Sequence, residues 1–159
     1  MKNCLAESAH FVNILPPVDI SGGVHSDVWS MAKYDHATII LQIGVSNAAT
    51  GLITVAACDN FTPSTRVAIP YAMYKGENTA LGANGDVLGA RTAVPSTGVA
   101  SAATDGIMYV IEVNADELPA GYPNLELSVA NTTNSVIASA IAVLTKGRYT
   151  GDQSATVTA

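Results

Sequence analysis

The run Ala37-Thr38-Ile39-Ile40-Leu41-Gln42-Ile43-Gly44-Val45-Ser46 decides the fold class, together with Leu52-Ile53-Thr54-Val55-Ala56-Ala57-Cys58 beyond the link Asn47-Ala48-Ala49-Thr50-Gly51. In the first run Ala37, Ile39, Leu41, Ile43 and Val45 alternate with Thr38, Ile40, Gln42, Gly44 and Ser46, the pattern of a half-buried strand. In the second, Ile53, Val55 and Ala57 alternate with Leu52, Thr54, Ala56 and Cys58. Two such runs joined by a short polar link predict an antiparallel hairpin. Burial of each larger apolar side chain on one face is worth about 1.5–3 kcal/mol, enough to seed a sheet-on-sheet core.

Outward from this ribbon the same alternation recurs. Val67 to Lys75 reads as one strand, in which Pro70 cannot donate a ladder bond and so predicts an edge position or a bulge. Ile107, Tyr109, Ile111 and Val113 share one face of a further strand, and Ala115 to Leu118 is at most one helical turn. Leu125, Leu127 and Val129 define another strand, linked through Asn131 to Asn134 to the run Ser135 to Thr145 as a second expected hairpin. That last run is apolar on both sides, with Val136, Ala138, Ala140, Ala142 and Leu144 opposite Ile137, Ser139, Ile141 and Val143. It is expected to be central, or to touch another subunit. Between Gly76 and Gly106 the chain is rich in Gly, Asn, Ala, Thr and Ser, with one strand candidate at Val87 to Val94.

The expectation is therefore an all-β protein, an antiparallel β-sandwich of about 7–9 strands. Residues 1–17 read as an N-terminal arm with weak helical spacing through Leu5, Ala9, Phe11 and Val12 that stops at Pro16-Pro17. Residues 18–145 form the single domain, and 146–159 a polar, loose tail.

Composition narrows the function. The 159 residues suit one domain with a core of its own. A net charge of −6 removes the electrostatic attraction on which non-specific nucleic-acid binding and anionic membrane binding depend, so neither partner is expected. Charged residues make up only 13% of the chain against 48% hydrophobic ones, the balance of a surface that tolerates close neighbours or is covered by them, as in an assembly. Cys4 and Cys58 make no disulfide framework and are expected to be free. The N-terminus lacks the apolar core of a secretory signal and no run reaches membrane-spanning length, so synthesis in the cytoplasm is expected.

Catalytic patterns are missing. His10, His25 and His36 do not show zinc-motif spacing, and a cluster of His25, Asp27, Asp35 and His36 is conceivable only on paper. No serine is marked by a histidine–carboxylate pair, Cys58 reads as a core thiol, and Asp116, Glu117 and Glu126 read as solvated charges. Trp29, Tyr34, Tyr74 and Tyr149 could stack a sugar or base, although packing is the commoner use of such rings. No catalytic residue, metal or cofactor is expected, and the chain is read as non-enzymatic.

Three stretches carry a resemblance. Val18-Asp19-Ile20-Ser21-Gly22-Gly23 is followed by Ser26-Asp27-Val28-Trp29-Ser30-Met31 and Tyr34-Asp35-His36-Ala37-Thr38-Ile39-Ile40. Ala57-Cys58-Asp59-Asn60-Phe61-Thr62-Pro63-Ser64 continues into Ala68-Ile69-Pro70-Tyr71, and Tyr109-Val110-Ile111-Glu112-Val113-Asn114-Ala115-Asp116-Glu117-Leu118 is followed by Gly121-Tyr122-Pro123. Together they resemble a family of small proteins of tailed bacteriophages and prophages encoded beside the major capsid protein. The resemblance implies a virion structural protein, a capsid decoration (cement) protein on the head surface whose partner is the major capsid protein. It carries no catalytic residues. Self-association, as a trimer at threefold positions, is a further expectation. Candidate contacts with capsid or sister subunits are Leu5, Phe11, Ile14, Trp29, Arg66, Arg91, Arg148 and Tyr149. The alternatives are another virion component, at the head–tail junction or in the tail, or a carbohydrate-binding sandwich.

Overall fold

A computed structural model describes residues 4–45, 51–76, 87–130, 132, 134–148 and 156. One helical turn, α1 (Leu5–Ser8), leads into β1 (His10–Asp19), β2 (Val24–His25), β3 (Trp29–Ser30), β4 (Tyr34–Ile43), β5 (Leu52–Cys58) and β6 (Arg66–Ile69). Then follow β7 (Tyr71–Gly76), β8 (Thr92–Val94), β9 (Val99–Ala100), β10 (Ile107–Asn114), a 3-10 turn (Ala115–Glu117), β11 (Asn124–Val129) and β12 (Ile137–Gly147). The strands form two antiparallel six-stranded sheets packed as a sandwich. One runs β1-β12-β4-β10-β7-β8; the other runs β2-β11-β5-β6, with β3 also on β11 and β9 also on β5. The expected all-β sandwich is thus present, and its winding is that of a jelly roll with β10 inserted between β4 and β7.

Both expected hairpins pair differently. β4 and β5 lie in opposite sheets, as do β11 and β12. Ala37, Ile39, Leu41 and Ile43 do point inward, and so do Ile53, Val55 and Ala57, but they meet face to face across the core. Alternation tells which side chains go inside, and both a hairpin and an arch between sheets about 10 Å apart satisfy it. The eight-residue span 44–51 is long enough for the arch. Pro70 plays a related part. The expected single strand 67–75 is two strands, and the chain changes sheets at Pro70, the residue unable to extend a ladder.

The expected arm is only partly an arm. His10–Asp19 is an edge strand paired to β12, with irregular register around Pro16 and Pro17. Prolines on an exposed edge deny further strands their donors. At the other end, β12 runs through Gly147, and the buried Thr156 accepts a 3.0 Å bond at its carbonyl from the Ser30 amide, so the tail is docked at that residue.

The core joins Ile14, Trp29, Ile39, Leu41, Tyr109, Ile111, Leu125 and Leu127, all at most 2% exposed. The Tyr71 hydroxyl on β7 donates across the core to the Ile53 carbonyl on β5 at 2.9 Å, tying the sheets together. Burial pushes that phenol well above its ordinary pKa.

Asp19 closes the join between β1 and β12. It accepts the Ser21 amide at 2.9 Å, the Ser135 hydroxyl at 2.7 Å and the Val136 amide at 3.3 Å. The Ser135 bond, followed by the Ser21 amide, holds its carboxyl below the usual 3.8. A folded-state pKa below the unfolded one contributes stability that is complete above 3.8 and is lost as pH falls through the lower folded value. In urea titrations, the midpoint should therefore decline below that pH, and Asp19→Asn should flatten the decline. An identical acid limb in the variant would contradict this.

Candidate functional site

The outward side chains of β12, β4, β10 and β7 fall into cross-strand rows set by the register. Asn13, Ile141, Ile40, Val110 and Tyr74 form one row running from β1 to β7. Beside it lie Phe11, Val143, Thr38, Glu112 and Ala72 on one flank and Ser139, Gln42 and Met108 on the other. Three apolar side chains are exposed on this side of the sheet, Phe11 (45%) on the edge strand β1 and Ile137 (47%) and Ile141 (37%) on β12, whereas Val110 in the middle of the row is 9% exposed. Exposed apolar side chains grouped on one sheet face mark an interaction site more often than singly scattered ones do.

At one end the face drops into a shallow depression of about 290 Å³ lined by Gln42, Gly44, Gly106, Met108, Ile137 and Ser139. Its floor is backbone, because Gly44 and Gly106 bring no side chains. The Gly106 amide bonds to the Gly44 carbonyl at 3.0 Å, and the Gly44 amide to the Ile137 carbonyl at 2.8 Å. A Cβ on Gly44 would lie 3.3 Å from that Ile137 oxygen.

The opposite end of the face is polar. Glu112 Oε2 lies 2.7 Å from His36 Nε2 and accepts the Thr38 hydroxyl at 2.7 Å, while His36 Nδ1 lies 2.8 Å from Asn114 Oδ1. Thr38, His36 and Asn114 follow the order of a nucleophile, base and orienting group. However, Thr38 Oγ1 is 3.4 Å from the ring nitrogen and its proton goes to Glu112. The geometry is that of a satisfied hydrogen-bond cluster across β4 and β10. Sequence reading missed Glu112 and Asn114 here, because only the β4–β10 register brings them to His36.

The second sheet carries its own outward cluster. Glu126 on β11 is 3% exposed although it faces outward. Arg66 Nε and Nη2 donate to its two oxygens at 2.6 and 3.2 Å, and His25 Nδ1 lies 3.2 Å away. Arg66, opposite Cys58 in the β5–β6 register, reaches across β5 to Glu126 on β11. Glu126 is thus a buried acceptor rather than the solvated charge expected. Beneath this cluster, burial and then the Glu126 charge push the Cys58 thiol up to about 11, leaving it protonated near neutral pH. Cys58 and the exposed Cys4 are unbonded.

The expected contact residues separate into groups. Leu5 and Phe11 are exposed, and Phe11 lies on the apolar face. Ile14 and Trp29 are corrected: both are 0% exposed core residues and cannot touch another molecule. Arg66 is engaged by Glu126. Arg148 is engaged by Asp35 at 2.6 Å and by the Ala32 carbonyl, fastening the end of β12 to the start of β4. Arg91 is exposed ahead of β8, and Tyr149 lies outside the described residues. The paper cluster of His25, Asp27, Asp35 and His36 does not assemble, since His25 joins Glu126 on one sheet, His36 joins Glu112 on the other, and Asp35 joins Arg148.

The fold and this surface define a jelly-roll sandwich that presents one broad, charge-poor sheet face. No family model matches the chain, and no curated protein matches it. Two solved structures show a distant likeness. One is SPBc2 prophage-derived protein YomS, 14% identical, covering 85% of this chain and 92% of that one, with a TM-score of 0.44. The other is the structure of infectious bursal disease virus Gx strain, 12% identical, covering 86% of this chain and 42% of that one, with a TM-score of 0.25. At this distance neither transfers a role to any residue.

Proposed function

We propose that the chain is a non-enzymatic structural protein of a tailed-phage virion, a decoration (cement) protein that sits on the outside of the head and ties neighbouring capsid subunits together. The observation that carries this reading is the set of exposed apolar side chains Phe11, Ile137 and Ile141 on the outer side of β1 and β12, beside the half-buried Ile40. It agrees with the low share of charged residues and with the resemblance described above. Jelly rolls serve both capsid and lectin domains, so the fold by itself does not choose between them. The glycan-binding alternative is weakened because Trp29, its strongest stacking candidate, is in the core.

A cement protein acts through many weak contacts repeated with the symmetry of the shell. Heads produced with and without this gene product provide the test, by cryo-electron microscopy and by heating or osmotic shock. Density at repeated capsid-subunit junctions, and breakage at lower temperature when the protein is missing, are expected. Absence from the particle, or equal resistance with and without it, would overturn the reading.

A further inference from the structure

We infer that His36 carries a proton on both ring nitrogens and serves as a proton-dependent clip fastening β4 and β10 to the 3-10 turn Ala115–Glu117.

Donors and acceptors around the ring match in one way. His36 Nε2 lies 2.7 Å from Glu112 Oε2, and Nδ1 lies 2.8 Å from Asn114 Oδ1. A carboxylate oxygen and an amide oxygen only accept, and a neutral imidazole offers a single N–H. Glu112 Oε2 takes its other hydrogen from the Thr38 hydroxyl at 2.7 Å. Two acceptors thus call for two ring protons, since a bare nitrogen would set its lone pair against an oxygen at hydrogen-bond distance.

The Asn114 amide is oriented by a separate contact. In a capping box its side-chain oxygen faces the Glu117 amide, while the Glu117 carboxylate accepts the Asn114 backbone amide at 2.8 Å. Turning the Asn114 side chain over to suit a neutral ring would break that box. The His36 and Glu112 side chains are 20% and 27% exposed, so water is only partly available to stand in for either partner.

The surrounding elements add little charge. Thr145 stands opposite His36 on β12, and Ala72 opposite Glu112 on β7. Asp35, beside the ring on β4, is bound to Arg148. Lys146 on β12 and Asp116 on the turn bring one further charge of each sign at this end of the sheet. Loss of either ring proton opens the clip. Its stabilisation is therefore complete in acid and lost as pH rises, the opposite sense to that of Asp19.

Imidazole nitrogen-15 spectra of the full chain at pH 7.5 test the proton count, since an ordinary histidine titrates at about 6.5 and is mostly neutral there. Two proton-bearing nitrogens are expected for His36, its signal being the one missing from His36→Gln. One bare nitrogen, in either tautomer, would overturn the inference. Glu112→Gln supplies an amide able to donate to a bare Nε2, so its His36 should be neutral at the same pH; that change identifies the signal even if His36→Gln does not fold. Urea unfolding at pH 6 and pH 9 tests the clip. His36→Gln should lower the midpoint about twofold more at pH 6 than at pH 9. Equal losses at the two pH values would leave the ring protons without a fastening role and overturn the clip.

Discussion

Gly98→Ala is expected to cost about 3 kcal/mol or more of folding stability and to lower the melting temperature by roughly 6–12 °C. Gly98 ends the turn between β8 and β9, where its amide bonds to the Pro95 carbonyl at 2.9 Å. Its φ of +82° is left-handed, a region costing other residues about 1–3 kcal/mol. A Cβ there would also come 2.4 Å from the Ile53 carbonyl oxygen and 2.5 Å from the Thr54 methyl. The oxygen belongs to β5 backbone, so the neighbour cannot rotate away, and β9 itself must shift. That shift should also disturb the reciprocal bonds that hold Ser101 to Gly51, from the Ser101 amide to the Gly51 carbonyl at 2.8 Å and from the Gly51 amide to the Ser101 hydroxyl at 3.0 Å. Thermal and urea unfolding check the prediction. A Gly98→Ala variant within 1 °C of wild type would show that the β8–β9 turn relaxes freely.

Arg66→Met is expected to be the most damaging change at the protein's surface, costing about 2–4 kcal/mol. It keeps the length and apolar stem of the side chain but removes both donors from a carboxylate whose side chain is 4% exposed. Among the described residues, Glu126 would then be left with the His25 ring, 3.2 Å away, as its side-chain partner. Glu126→Gln is the comparison: it retains an acceptor for Arg66, whose side chain is 42% exposed and can turn to water, so its cost should be about 1 kcal/mol. The order of the two costs is the decisive result, because a merely solvent-screened surface pair would cost under about 1 kcal/mol from either side. Urea unfolding at neutral pH measures both.

Much of the architecture was legible in the residues. Strict alternation in Ala37 to Ile43, Ile107 to Val113 and Ala138 to Leu144 correctly assigned which side chains enter the core, and the two-faced apolarity of 135–145 correctly implied a central strand, since β12 lies between β1 and β4. The exposed row on the candidate face was equally present in the sequence, as Ile137 and Ile141 opposite the alanines, and the expectation that this strand touches a partner is the one carried into the proposed function. What the residues hid was partnership. His36 with Glu112, Arg66 with Glu126 and Arg148 with Asp35 are separated by 76, 60 and 113 positions, and no local pattern links them.

The sequence by itself determined a two-faced β-protein, poor in charge, with its inward side chains already chosen, because a period of two is imposed locally by the pleat and by burial on one side. Only the tertiary structure decided that β4 and β5 oppose one another instead of pairing, that Pro70 carries the chain between sheets, that residues 10–19 are an edge strand, and that Ile14 and Trp29 are core. The physical reason is that strand pairing is a long-range choice. Hydrogen bonds in a ladder are available to any strand of suitable length, and which two strands share them depends on how all the apolar faces can be buried at once.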